Sequence, residues 1–173
     1  MNTAEPVRSD RLLISPGYAV GITEEMIHKV VHGFYAKIRK DPALGPIFNR
    51  VIAEEAWPPH LQKMCDFWSS VMLMSGRFHG APMPAHLGIQ GQDGKGLNGR
   101  HFARWLHMFA ETVAELCPPE AAKLFEQKSQ MIAQSLQLGI AASRGEIAPI
   151  SQVALSRWPD APAAGRPPLP THT

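Results

Sequence analysis

Histidine is the residue type of this chain best suited to chemistry, because neutral imidazole is the commonest metal ligand in proteins and eight histidines occur in 173 residues. His28 and His32 have an i,i+4 spacing, which puts two ligands on one side of a helix. The sequence offers them no third ligand, so a solvated surface pair is the favoured interpretation. Glu25-x-x-His28 has the form of a di-iron motif, but the second copy that such a site needs is missing. This segment therefore predicts no metal site.

His86 has a more constrained setting. It lies in Pro82-Met-Pro-Ala-His-Leu-Gly88, where the prolines and the glycine leave room for about one helical turn. An imidazole that ligates iron must be neutral and aimed at the metal, and a short stiff segment limits its freedom in that way. A partly exposed loop histidine is the alternative that the residues alone leave open.

Other classes of chemistry and of partner are not indicated. No GxSxG, HExxH or GxxxxGK[ST] motif occurs, and Cys65 and Cys117 lack CxxC spacing. A formal charge of +2 is too small to make nucleic acid an expected partner. The low-charge stretch 67–76 is too short to span a membrane, and the apolar run 12–14 is too short for a secretory signal. We therefore expect a cytoplasmic protein with neither nucleic acid nor membrane as a partner.

The elements that must position these residues read as helices. Thr23 is a plausible N-cap, and the apolar residues after it follow helical spacing until Asp41-Pro42. Trp57-Pro-Pro-His60 opens a second long helix, and residues 43–48 form a corner of a turn or two at most. A third helix covers about 100–116 and a fourth follows Pro118-Pro119. No strand pattern occurs, so the sequence predicts an all-α domain over 22–142.

The two ends differ from this core. Pro6, Pro16, Gly17 and Gly21 predict an irregular N-terminal lead-in over 1–21. Six of the sixteen prolines lie after residue 144, and no helical or alternating apolar period accompanies them. Residues 143–173 are therefore predicted to be a flexible, proline-rich tail.

Several segments together resemble the bacterial truncated haemoglobins, and specifically their third group. The resemblance covers about 22–142 and rests on Phe34-Tyr35, Asp41-Pro-Ala-Leu-Gly-Pro-Ile-Phe48, Trp57-Pro-Pro-His60, Phe67-Trp68, Gly80-Ala-Pro-Met-Pro-Ala-His-Leu87 and Phe102-Ala-Arg-Trp-Leu106. It implies a shortened globin fold, a two-on-two helical sandwich around haem b. The glycine-rich connection 88–99 departs from the family pattern.

The resemblance also implies roles for individual residues. It makes His86 the proximal iron ligand and puts Tyr35, His60 and Trp105 on the distal side. Phe48 and Met64 match positions that line the haem faces. For the distal residues the alternatives are core packing of Tyr35 and Trp105 and a solvent-facing His60.

The haem propionates need partners of another kind. Arg77, His79 and Arg104 are candidates for pairing with propionate on charge alone, and exposure at the surface without such a contact is the favoured alternative for each.

The implied function is binding of dioxygen, nitric oxide or carbon monoxide at haem iron. A distal site with two or three donors stabilises polar adducts, so nitric oxide dioxygenase or peroxidase-like activity with a reductase partner is a further expectation. The rival hypothesis is a cofactor-free helical interaction or sensor domain, in which the aromatic residues are only core.

Overall fold

The computed structural model describes residues 6–89, 91 and 94–146, and residues 6–9 by backbone alone. The described chain forms eight α-helices and one 3₁₀ turn, Glu54–Ala56, and it contains no β-strand. The helices are α1 (Pro6–Leu13), α2 (Pro16–Ala19), α3 (Glu24–Ile38), α4 (Gly45–Val51), α5 (Trp57–Leu73), α6 (Pro82–Leu87), α7 (Gly99–Leu116) and α8 (Pro119–Ser143). The all-α prediction is confirmed. None of these helices is long and apolar enough to cross a bilayer.

Helix α3 starts as its sequence predicts. The Thr23 hydroxyl accepts a hydrogen bond from the Met26 amide at 3.2 Å, and acidic Glu24 and Glu25 occupy the first turn. Its buried face includes Val31, Phe34 and Tyr35 and the other apolar residues of the predicted stripe. Tyr35 is thereby held inside the molecule.

The corner between α3 and α4 is fixed by Asp41 and Gly45. Asp41 Oδ1 accepts hydrogen bonds from the amides of Ala43 and Leu44 at 3.0 and 2.9 Å. A Cβ on Gly45 would lie 2.7 Å from the carbonyl oxygen of Arg39, so only glycine fits this close approach. The corner brings Phe48 of α4 to 6.0 Å, ring centre to ring centre, from Tyr35.

Aromatic rings join α5 to α7 in the core. Trp105 stacks on Phe109 with ring centres 5.2 Å apart, and Phe109 stacks on Trp68 of α5 at 5.0 Å. Parallel aromatic stacks of this kind contribute about 0.5–1.5 kcal/mol beyond their buried area. Phe34 meets both Trp105 and Phe109 edge-on and so adds α3 to the same cluster.

The prediction of an irregular lead-in over 1–21 is wrong where the structure describes it. Pro6 and Pro16 begin α1 and α2, because proline is accepted in a first helical turn. The Ser15 hydroxyl caps α2 by accepting from the Tyr18 amide. Gly17 lies so close to α5 that a Cβ would be 2.7 Å from the Met72 carbonyl oxygen. Pro6 and Pro16 therefore begin helices instead of breaking them, and Gly17 allows α2 to pack closely against α5.

At the other end, α8 stops at Ser143 and Gly145 follows with φ of +71°, the left-handed conformation common after a helix. Most of the predicted tail, residues 147–173, lies outside the described residues.

Candidate functional site

A cavity of about 290 Å³ lies among helices α3 to α8. Most of its wall is apolar, and the residues with polar side-chain atoms include Tyr35, His60, Lys63, His86, His101 and Trp105. An apolar cavity with a few convergent polar groups is typical of a cofactor or small-ligand site.

His86 presents one free nitrogen. It is half-buried on α6, and its Nδ1 lies 2.7 Å from the carbonyl oxygen of Pro82. Because a carbonyl only accepts hydrogen bonds, Nδ1 carries a proton, and in the neutral ring Nε2 then keeps its lone pair. A histidine that ligates a metal is oriented by a hydrogen bond of this kind on its other nitrogen. The contact with Pro82 therefore orients the ring and, in its neutral form, makes Nε2 of His86 the nitrogen available to a metal.

Helix α6 is seated against α8 at Gly139. A Cβ at Gly139 would lie 2.5 Å from the sulfur of Met83, so the missing side chain makes room for the thioether of α6. Met83 is in the same short helix as His86. The contact thus contributes to the position of the imidazole.

Tyr35 and His60 meet in the cavity with ring centres 5.3 Å apart and planes nearly perpendicular. Burial raises the pKa of Tyr35, so the phenol stays protonated and able to donate. The pKa of His60 is lowered, chiefly by burial and then by the charges of Lys63 and His86. The His60 ring is therefore neutral near pH 7, because its pKa falls below the usual histidine value.

The Nε2 atom of His60 is buried and has no hydrogen-bond partner within the described chain. A buried polar atom without a partner costs about 1–3 kcal/mol, and a ligand that pairs with it removes that cost. Trp57, which is 3% exposed, packs against both rings, with its ring centre 5.6 Å from that of His60 and 5.9 Å from that of Tyr35.

The structure brings six of the predicted site residues to the wall of this cavity. They are Tyr35, Phe48, His60, Met64, His86 and Trp105.

The three residues proposed for propionate on charge alone are not in the described lining. Arg77 donates to Glu24 at 2.5 Å, His79 is exposed, and Arg104 donates to Asp41 at 2.6 and 2.9 Å. The two arginines have carboxylate partners of their own.

Lys63 and His101 line the cavity instead, and neither was singled out from the sequence. Helical spacing was an available signal for Lys63, since it follows His60 by three residues. For His101 the available signal was its position three residues after Asn98, a good N-cap residue. In the resulting capping box, His101 Nδ1 accepts from the Asn98 amide, and the His101 amide donates to Asn98 Oδ1. That bond leaves the proton of a neutral His101 on Nε2.

His28 and His32 are exposed on α3 with their rings stacked at 3.9 Å. The described part of the chain holds no group of three or more histidine, cysteine or acidic side chains that could bind a metal ion. The surface-pair interpretation agrees with this arrangement.

Comparison with known proteins defines the class. No family model matches the chain. It is 36% identical over 118 residues to the group 3 truncated hemoglobin ctb of Campylobacter jejuni, which covers 67% of this chain and 89% of that protein. A crystal structure of the group III truncated hemoglobin from Campylobacter jejuni matches with a TM-score of 0.62 and 34% identity, over 69% of this chain and 91% of that one. The fold is therefore a shortened globin fold, as predicted.

The chain belongs to the group 3 truncated haemoglobins. Membership supports haem-based binding of a small ligand in general. The cavity described above combines the His86 imidazole with mostly apolar walls.

Proposed function

We propose that this chain holds haem b in the cavity through Nε2 of His86 and binds dioxygen or another diatomic molecule beside Tyr35, His60 and Trp105. The observation that carries the proposal is the hydrogen bond from His86 Nδ1 to the Pro82 carbonyl at 2.7 Å. It fixes the tautomer in which Nε2 can ligate iron. The residues present also fit the group in other ways, since Phe48 and Met64 supply apolar walls.

When bound, haem supplies an iron that takes up diatomic molecules and exchanges electrons. The chain supplies everything around it. His86 anchors the group, the apolar walls exclude water, and the protonated phenol of Tyr35 and the indole N–H of Trp105 are donors for a ligand atom that gains negative charge. His60, with its unpaired Nε2, adds a third polar group to that side.

Lys63 and His101 are the residues that we propose for the propionates. Lys63 is exposed at its position in the lining, where a cation can remain solvated while it pairs with a carboxylate. His101 offers Nε2–H as a donor because its Nδ1 is occupied by the Asn98 amide.

Two donors and a third polar group suit a ligand that becomes strongly polarised. We therefore propose nitric oxide dioxygenation or peroxidase-like turnover as the use of this site, with electrons from a cytoplasmic reductase. Consumption of nitric oxide or of peroxide by the reduced protein, with a dye-coupled electron source, distinguishes these reactions from reversible storage.

The test of haem binding is spectroscopic. The protein purified with its haem should show a Soret band at one haem per chain, and a pyridine haemochrome should identify haem b. His86→Ala should lose the proximal ligand and bind added haemin weakly, whereas the matched control His28→Ala on exposed α3 should behave as the wild type. An unchanged iron–histidine bond in His86→Ala would contradict the assignment. A protein that takes up no haem would support the cofactor-free rival.

A further inference from the structure

Arg104 and Asp41 form an ion pair between α7 and the corner that follows α3, and Trp105, the next residue after Arg104, lines the cavity. The Asp41 side chain is 1% exposed, and its Oδ2 accepts from both Nε and Nη2 of Arg104 at 2.9 and 2.6 Å. Its Oδ1 accepts from the amides of Ala43 and Leu44. Both oxygens of this buried carboxylate are therefore occupied, as a buried charge requires.

The pair joins three elements that carry residues of the cavity wall. Asp41 follows α3, the helix of Tyr35, and its own amide donates to the carbonyl of Ile38. The same residue fixes the corner that leads into α4 and Phe48. Arg104 is on α7, immediately before Trp105. One carboxylate thus links the end of α3, the start of α4 and the middle of α7.

Adjacent residues of a helix point about 100° apart around its axis. A guanidinium held at two nitrogens by a fixed carboxylate resists rotation of α7 about that axis. The same rotation determines the direction of the neighbouring Trp105 indole, whose ring centre lies 5.2 Å from that of Phe34 on α3. The orientation of Trp105 relative to Tyr35 therefore depends on this pair as well as on core packing.

We propose that the Asp41–Arg104 ion pair is a positioning device that holds the Trp105 indole toward the Tyr35 side of the cavity and thereby sets how long a diatomic ligand is retained. The retention part rests on the proposed function, whereas the placement of the indole does not.

The placement is tested by the indole N–H signal of Trp105 in a ¹H–¹⁵N spectrum, identified by its absence in Trp105→Phe. Arg104→Gln and Asp41→Asn should change the chemical shift of that signal. Arg104→Lys keeps the charge but loses the two-nitrogen contact of the guanidinium, and it should change the shift less. The matched control is His107→Gln, which removes another side-chain contact of α7, between His107 Nε2 and Glu111 Oε1 at 3.4 Å, and should leave the signal in place.

Retention is tested by stopped-flow release of dioxygen from the haem-loaded variants. Arg104→Gln should speed release about 3- to 30-fold, as expected for a residue that acts through a neighbour. In a Trp105→Phe background the same change should have little further effect.

Loss of thermal stability with an unmoved indole signal and unchanged release would overturn the proposal and leave the pair a purely structural one. An equal effect of Arg104→Gln with and without Trp105 would overturn it too. If the protein takes up no haem, the proposed function fails, but the indole signal still decides the placement.

Discussion

Two imidazoles in the cavity have their protons assigned by a backbone neighbour. His86 Nδ1 donates to the Pro82 carbonyl, and His101 Nδ1 accepts from the Asn98 amide. The first arrangement leaves a lone pair on Nε2 and the second leaves a proton there. In their neutral forms, residues of one type thus suit the opposite tasks that we propose for them, ligation by His86 and donation to an anion by His101.

If Lys63 and His101 pair with the propionates, their removal should loosen the haem. We expect Lys63→Gln and His101→Ala each to speed haem loss about 2- to 5-fold, because solvated pairs of this kind contribute little individually. Transfer of haem to an excess of an apoglobin acceptor measures the rate. Lys29→Gln, which breaks an exposed pair with Glu25, is the matched control and should change nothing. Equal rates in all three variants would remove Lys63 and His101 from the haem site.

Tyr35 and Trp105 are predicted to discriminate between gases. Dioxygen gains negative charge on its outer atom when it binds, and carbon monoxide gains little. A hydrogen bond to a charged acceptor contributes about 1.5–3 kcal/mol, so Tyr35→Phe should speed dioxygen release about 10- to 100-fold with a much smaller effect on carbon monoxide. Trp105→Phe should act in the same direction.

Stopped-flow release of both gases from the single and double variants is the measurement. The double variant should depart from additivity if both donors address one ligand, because each can partly compensate for the other. Equal acceleration of both gases would indicate a steric role, and no acceleration would exclude these residues from the ligand site.

At the scale of the elements, close backbone approaches decide which helices pack together. Gly17 puts α2 directly on the backbone of α5, with the Met72 carbonyl oxygen 2.7 Å from where a Cβ would be. A backbone atom cannot move aside as the end of a side chain can. Helix α2 thus belongs to the folded core of the described chain through at least this contact.

We expect Gly17→Ala to lower the free energy of unfolding by about 1–3 kcal/mol, which is typical of overpacking. Gly88→Ala is the matched control, since nothing lies within 4 Å of its Cβ position and its φ is −92°. Urea unfolding followed by far-UV circular dichroism measures both. Equal stability of Gly17→Ala and the wild type would show that α2 does not pack on α5 in solution.

For the molecule as a whole, Asp41 predicts a pH dependence of stability. Burial by itself raises the pKa of this carboxyl, but hydrogen bonds from Arg104, Leu44 and Ala43 outweigh it and lower the pKa below the ordinary 3.8. As pH falls, the unfolded chain therefore takes up the proton first. The stabilisation is complete above about pH 5 and is lost as pH falls through 3.8 and below.

Asp41→Asn should consequently be less stable than the wild type at pH 6 but lose less stability between about pH 5 and pH 3. Urea unfolding at several pH values gives the two slopes. Asn keeps an acceptor for the corner amides, so the comparison isolates the charge. Parallel slopes would show that Asp41 is not responsible.

The chain end gives a second prediction at this scale. The amides of Gly145 and Glu146 still donate to the last turn of α8, so truncation after Glu146 preserves the cap. Because the residues removed have no periodic apolar face in their sequence, we expect haem content and melting temperature to stay nearly unchanged. A large loss of stability would show that residues 147–173 contribute to the core.

The sequence by itself determined the four long helices and where they begin, since caps, prolines and apolar periods act within a few residues of each other. It also singled out Tyr35, His60, His86 and Trp105, because the family resemblance carries spacing as well as residue type. The Asp41-Pro42 stop and the short corner after it were equally local.

Only the tertiary structure decided which charges meet. By charge alone Arg104 is a candidate for propionate or a surface residue, but its partner Asp41 is 63 residues away and buried, and no local pattern in the sequence indicates such a pairing. The N-terminal helices were missed because Gly17 breaks a helix by propensity yet is required where α2 touches α5. The places of Lys63 and His101 in the cavity wall likewise depend on tertiary structure. The wall is made by side chains from separate helices and exists only after those helices have packed.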